Sequence, residues 1–308
     1  MNLRPASAQQ FLCILFALPS LLVPAFAHSS ATSQKDGVER QDGTPPGQLL
    51  GSENFQRGVS AYKSKDYAVA AAYYRKAAEA GEPLAMTGLG ALYAHGEGVV
   101  KSDTEAVKWY RKAVGAGEPM AMSYLGFMYS EGRGVGRDDV ESVKWFRKSA
   151  EAGMPPGMTQ LGVMYANGRG VPQSDVQSVR WYEKAAYAGF PEAMYRLGCR
   201  YLGGRGVAQN NLEAFTWIHK AAEAGDTDAM AGLGLMYRYG RGVDMDLKQA
   251  AQWYEKAANA GDADSMYSLG RLYEDGNGVS RDYAQAAKWY EKAARAQFHR
   301  DGASLRRR

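Results

Sequence analysis

Cysteine is nearly absent from this chain of 308 residues, which carries only Cys13 and Cys199. Two cysteines cannot build a disulfide-dense scaffold or a four-cysteine zinc site. Histidine is also scarce. His28, His95, His219 and His299 form no His-x-x-x-His pair, and none has a cysteine placed to complete a metal site. The chain has no Gly-x-Ser-x-Gly elbow and no Gly-x-x-x-x-Gly-Lys-Ser/Thr loop, so neither a serine nucleophile nor a phosphate cradle is indicated. Charge is not one-sided: 37 Lys and Arg against 33 Asp and Glu leave +4, too balanced to make nucleic acid the default partner. An Asn-x-Ser/Thr acceptor is missing as well, which fits bacterial export better than a eukaryotic secretory route. No metal, cofactor or catalytic residue is expected, and the protein reads as a non-enzyme.

The longest apolar stretch runs from Phe11 to Ala27 and is interrupted by Pro19 and Pro24. It is shorter than the roughly 20 apolar residues of a spanning helix, and proline breaks it. A polar start with Arg4 and an Ala25-Phe26-Ala27 ending have the pattern of a signal peptide. Residues 1–27 are therefore expected to be cleaved after Ala27, leaving a periplasmic or secreted protein with no stable membrane span. Cleavage removes Cys13, so the mature chain has Cys199 alone and forms no internal disulfide. Residues 28–52 are rich in Ser, Gly, Gln and Pro and read as a flexible linker. A basic tail occupies residues 298–308.

What the chain has in quantity is a period. All six tryptophans, Trp109, Trp145, Trp181, Trp217, Trp253 and Trp289, stand 36 residues apart. Glycine keeps the register from Gly90 to Gly270, methionine from Met86 to Met266 and tyrosine from Tyr93 to Tyr273. A fixed period between 20 and 50 residues means stacked supersecondary units and not one large core. Six units occupy residues 82–297, and a shorter unit over 53–81 precedes them with Tyr73 in the tryptophan position.

Each unit reads as two helices. In the first, Met122, Leu125 and Tyr129 follow i, i+3, i+7 and share a face. Proline opens it at Pro83, Pro119, Pro155 and Pro191, where a missing N–H is harmless. Glycine inside a helix costs about 1 kcal/mol relative to alanine, so Gly126 and its equivalents imply close contact between helices. A Gly-x-Gly-Val turn follows, as at Gly132, Gly134 and Val135. The second helix opens with a capping box, such as Ser102/Glu105 or Asp138/Glu141, and runs through Trp-Tyr-x-Lys-Ala-Ala to an Ala-Gly stop.

The patterns Ala85-Met86-x-x-Leu89-Gly90-x-x-Tyr93, Gly96-x-Gly98-Val99 and Ala106-x-x-Trp109-Tyr110-x-Lys112-Ala113 resemble the Sel1-like repeat, a 36-residue relative of the tetratricopeptide repeat. The resemblance implies an all-α fold, a right-handed α-solenoid of antiparallel helix pairs whose concave side binds proteins or peptides. It also implies an exported bacterial adaptor, acting in the cell envelope or in host interaction. A cysteine-rich exported subgroup is linked to penicillin binding and β-lactam hydrolysis. This sequence lacks the paired cysteines of that subgroup.

The tryptophans, methionines and repeated lysines are expected to serve the core, leaving function to positions that vary between units. A stripe at i, i+4 and i+7 of each first helix contains Leu84, Gly88 and Ala91, and then Met120, Tyr124 and Phe127. The expected groove contacts are Tyr124, Phe127, Gln160, Arg196, Leu235 and Arg271, with protein or peptide as ligand. Cys199, on the same stripe, reads as a small apolar residue. A second stripe of turn residues, Arg133, Arg169, Arg205 and Arg241, offers an edge for an anionic partner. Two alternatives to the groove scaffold stand at this stage: a cell-wall or β-lactam hydrolase-like enzyme, and an anionic-glycan-binding module.

Overall fold

The computed structural model describes residues 46–305, with side chains over 50–298. The signal peptide and most of the linker expected from the sequence lie outside the described residues. Within them are fourteen α-helices and no strand. The first pair is α1 (Pro46–Lys63) and α2 (Tyr67–Glu79). The first helices of the next six units, the A helices, are α3 (Pro83–His95), α5 (Pro119–Glu131), α7 (Pro155–Asn167), α9 (Pro191–Gly203), α11 (Thr227–Tyr239) and α13 (Ala263–Asp275). Their B helices are α4 (Asp103–Gly115), α6 (Asp139–Glu151), α8 (Asp175–Tyr187), α10 (Asn211–Glu223), α12 (Leu247–Asn259) and α14 (Tyr283–Leu305). Every helix packs on the one before and the one after it, so the described chain is an all-α solenoid.

Local chemistry sets these boundaries. Proline occupies the first turn of α3, α5, α7 and α9, while Asp226 and Asp262 cap α11 and α13 by accepting from Ala229 N and Ser265 N. Each A helix ends on a left-handed glycine whose N–H donates four residues back, as Gly132 does to Met128. The B helices are capped as the sequence predicts: Ser102, Asp138 and Ser174 accept from the N–H three residues on.

Two glycine classes hold the stack together. A Cβ on the A-helix glycine would lie 2.5–2.7 Å from Tyr110, Phe146, Tyr182, Ile218, Tyr254 or Tyr290, on the B helix of the same unit. The helices therefore close onto one another only because that side chain is missing. The second turn glycine, as Gly134, has φ 67°, and a Cβ there would overlap the Asp103 carbonyl at the start of the preceding B helix. Conformation and space both demand glycine there.

The tryptophans depart from the expectation of uniform burial. Trp217, Trp253 and Trp289 are buried, but Trp109, Trp145 and Trp181 are half-buried. In all six units the lysine three residues on sets its ammonium over the indole face, at 3.7–4.7 Å from the ring centroid. The repeated lysine thus covers an aromatic face by cation–π attraction.

Candidate functional site

The variable stripe of the A helices divides into closed and open parts. At positions 88, 124 and 232 its middle residue faces the B helix of the preceding unit. Tyr124 stacks on Tyr110, with ring centroids 4.8 Å apart and planes 11° from parallel, and a Cβ on Gly88 would lie 3.1 Å from the Tyr74 ring. Three expected groove contacts are consequently core. Tyr124 is 3 % exposed, Gln160 4 % and Phe127 7 %. The physical reason is a close approach of A helices, α7 touching both α5 and α9, where Phe127 and Val163 are also buried. The middle residue differs between units together with the side chain it meets: Gly88 lies against Tyr74, Tyr124 against Tyr110 and Gly232 near Ile218.

From α9 onward the stripe opens. Cys199, Asp228, Asp264 and Arg271 are exposed, and Leu235 is 47 % exposed. Arg196 belongs to neither class: its guanidinium is mostly covered and pairs with Glu192 at 2.7 Å, one turn earlier on the same helix. Charge gathers at the N-terminal ends of these helices. Burial pushes the Asp226 carboxyl up to about 6; the Ala229 N–H pulls it down, while Asp228 and Glu192 push it up and Arg196 pulls it down. Asp228 is exposed as a residue, but neighbouring groups partly desolvate its carboxyl, which raises it, as does Asp262. Cys199 is exposed as a residue, but desolvation of its sulfur by the side chains packed beside it pushes the thiol up to about 11 against the lowering by Tyr195, Arg196 and Arg200, so it is not an activated thiolate. Among the described residues no group of three His, Cys, Asp or Glu could hold a metal ion, and no helix is long and apolar enough to cross a membrane.

The turn arginines do not form the uniform edge expected from the sequence. Arg133 grips Asp103 through Nε and Nη2, and Nη2 also donates to the Ala94 carbonyl at 2.9 Å. Arg169 repeats this on Asp139 (2.6 and 3.3 Å) and the Ser130 carbonyl (2.8 Å), and holds the Asp139 carboxyl below its usual range. These two arginines tie adjacent units together. Arg205 is largely exposed and shares Asp175 with the better-buried Arg200. At Arg241 the partner position is Asn211, and the Arg241 side chain makes no ion pair among the described residues.

This register of capped helix pairs, glycine contacts and Gly-x-Gly turns matches a known family pattern. The Sel1 repeat matches residues 49–82, 83–117, 119–154, 155–190, 191–226, 227–262 and 263–298. The chain belongs to the Sel1 repeat family. A solved Sel1 repeat protein from Oxalobacter formigenes is 36% identical, with a TM-score of 0.72 over 79% of this chain and 99% of its own. A protective antigen present in uropathogenic Escherichia coli strains, also solved, is 36% identical with a TM-score of 0.64 over 80% of this chain. This chain spans about half of that antigen (53%). No curated protein matches the sequence. Sel1 repeats are generally non-catalytic protein-interaction scaffolds, and the solenoid described above is a scaffold suited to protein–protein interaction.

Proposed function

We propose that the protein is an exported Sel1 scaffold that holds a protein or peptide on the open inner wall formed by α9, α11 and α13, as an adaptor in the bacterial cell envelope or in host interaction. The supporting observation is the change in one stripe, from Phe127 and Val163, which are buried, to Cys199, Leu235 and Arg271, which are exposed. An exposed leucine flanked by charged side chains has the make-up of a recognition surface. The internal ion pairs of Arg133 and Arg169 weigh against an edge devoted to anionic polymer. Export rests on the apolar segment that ends at Ala25-Phe26-Ala27, and mature protein should begin at His28.

The test is capture from cell-envelope extract by the mature chain, with and without Leu235→Glu and Arg271→Glu. A partner retained by the parent and reduced at least tenfold by both variants, with thermal unfolding unchanged, supports the wall. Equal capture by all three proteins removes it. Protein that accumulates full-length in the cytoplasm removes export.

A further inference from the structure

The turn between α11 and α12 combines three features. First, its arginine has lost both internal anchors. Arg133 and Arg169 each hold an aspartate at the start of the preceding B helix and a carbonyl of the preceding A helix. For Arg241 the aspartate is replaced by Asn211, and the equivalent carbonyl, that of Leu202, accepts instead from Gln209 at 3.0 Å. Second, Arg241 is nonetheless kept, and it is exposed. Asp244, on the same turn, makes no ion pair with it, and Asp246 is engaged in capping α12.

Third, two side chains of this turn are large and apolar where no other unit has a large apolar residue, and they add to an exposed apolar residue that other units also carry, as Val140 and Val176. Tyr239 is 59 % exposed and Met245 67 %; the equivalent residues are His95, Glu131, Asn167, Gly203 and Asp275 in the first case and Lys101, Arg137, Gln173, Gln209 and Arg281 in the second. Leu212, 66 % exposed, adjoins them, because the Gly242 turn seats directly on the backbone of Asn211 and Leu212. The Arg238 guanidinium lies 5.5 Å from the Tyr239 ring centroid and adds a second positive charge.

We propose that this turn is a docking site for an acidic, apolar segment of a partner protein, whose carboxylate takes on Arg241 the place that Asp103 and Asp139 take on Arg133 and Arg169. The molecule itself displays the ligand chemistry three times, at Arg133, Arg169 and Arg205, as a two-point guanidinium–carboxylate clamp. Leu212, Tyr239 and Met245 supply an apolar floor, of which the aliphatic Leu212 and Met245 suit an apolar side chain better than a sugar polymer. The site does not depend on the inner wall: it stands or falls on Arg241 and Asn211, neither of which belongs to the variable stripe.

The experiment titrates the mature full-length chain with a leucine–glutamate peptide, with its leucine–glutamine counterpart and with a uronate oligosaccharide. Binding is read by anisotropy of the labelled ligand and by the Nε–H resonance of Arg241. The glutamate peptide should bind and shift that resonance, and the glutamine peptide should bind at least tenfold more weakly. Asn211→Asp, which rebuilds the internal pair, should weaken binding at least tenfold while the thermal midpoint stays level or rises. Arg241→Gln should weaken it similarly. No binding of the glutamate peptide, equal binding of the glutamine peptide, or an unaffected Asn211→Asp variant would overturn the proposal. Binding of the uronate alone would reassign the turn to an anionic polymer.

Discussion

The inner faces of α7 and α9 are built on the same 36-residue register, yet nine of the thirteen residues of α7 are buried against three of α9. Both helices keep the leucine and glycine that pack on their own B helix, Leu161 and Gly162 in one and Leu197 and Gly198 in the other. They differ in the stripe. Gln160 and Val163 fill space between units, whereas Arg196 turns to Glu192 and Cys199 reaches solvent. Repeat identity therefore specifies the pair of helices, and the stripe specifies whether neighbouring units close over their inner face. In a solenoid, where each unit answers mainly to its neighbours, such a change can stay local.

The largest effect expected from this contrast is on stability in the closed half. Tyr124→Ala and Phe127→Ala each remove a buried aromatic and should cost about 3–5 kcal/mol. The sequence alone would predict little loss at these two positions, since neither is held constant between units. Chemical denaturation measures the cost, and hydrogen exchange should place the loss in α4–α7 before α11–α14. A loss below about 1 kcal/mol would mean that the inner face of α5 is open after all.

The edge repeats the comparison at a smaller scale. A double-mutant cycle on Asp139 and Arg169, which form a partly buried pair, should give a coupling of about 1 kcal/mol. The same cycle on Asn211 and Arg241 should give none. Equal couplings would show that the two edges are energetically alike despite their different partners.

Asp226 offers a pH readout confined to the open half. Its folded-state carboxyl titrates near 6, above an ordinary value of 3.8, so the folded state holds this proton more tightly than the unfolded one. Stability from this group is therefore present at low pH and declines as pH rises from about 4 to about 6. Asp228, Glu192 and Arg196 face the same carboxyl, and solvent screening keeps the expected difference to about 1 kcal/mol. Asp226→Asn retains a capping side chain of the kind Asn210 supplies on α10 and should flatten that part of the profile. Asp139, held low by Arg169, works in the opposite direction, so the measurement is the difference between parent and variant.

Most of the fold was legible because backbone geometry enforces it. Gly126 has no room for a Cβ beside Phe146, Gly134 needs both a positive φ and contact with Asp103, and Ser102 must cap α4. Each such demand recurs every 36 residues and is visible as an invariant glycine or as a position confined to Ser, Asp and Asn. The closed part of the stripe was not legible, because Tyr124 and Gln160 answer to a partner in another unit and change as that partner changes. Variation within a repeat can mean exposure, as at Leu235, or complementarity, as at Tyr124 on Tyr110. Curvature decides between them, and curvature arises from many contacts of different sequence separation. The edge was half legible: the arginines stood out, but their aspartates sit 30 residues earlier in the preceding unit.

A smaller effect tests how tightly the closed half is packed. The hydroxyls of Tyr110 and Tyr124 are buried without a hydrogen-bond partner among the described residues, and burial raises both phenols above their usual value. Removing a polar group that has no partner relieves its desolvation penalty while keeping the stacked rings. Tyr124→Phe should therefore leave stability level or raise it by about 1 kcal/mol. A clear loss would reveal a bound water or other partner at the hydroxyl.

The smallest stability effect is expected at the residues proposed for function. Leu235→Ala and Arg271→Ala remove exposed side chains with no ion pair or ring contact of their own, and such substitutions usually stay within about 0.5 kcal/mol. Thermal unfolding should barely move, in contrast to Tyr124→Ala on the same stripe. That near-silence is what makes the pair informative. A side chain that adds nothing to the fold and yet stands exposed on the inner wall is available to a partner, so partner capture should fall where stability does not. If Leu235→Ala instead destabilises the chain by 2 kcal/mol or more, α11 is packed as α5 is, and the division of the solenoid into a closed and an open inner face is lost.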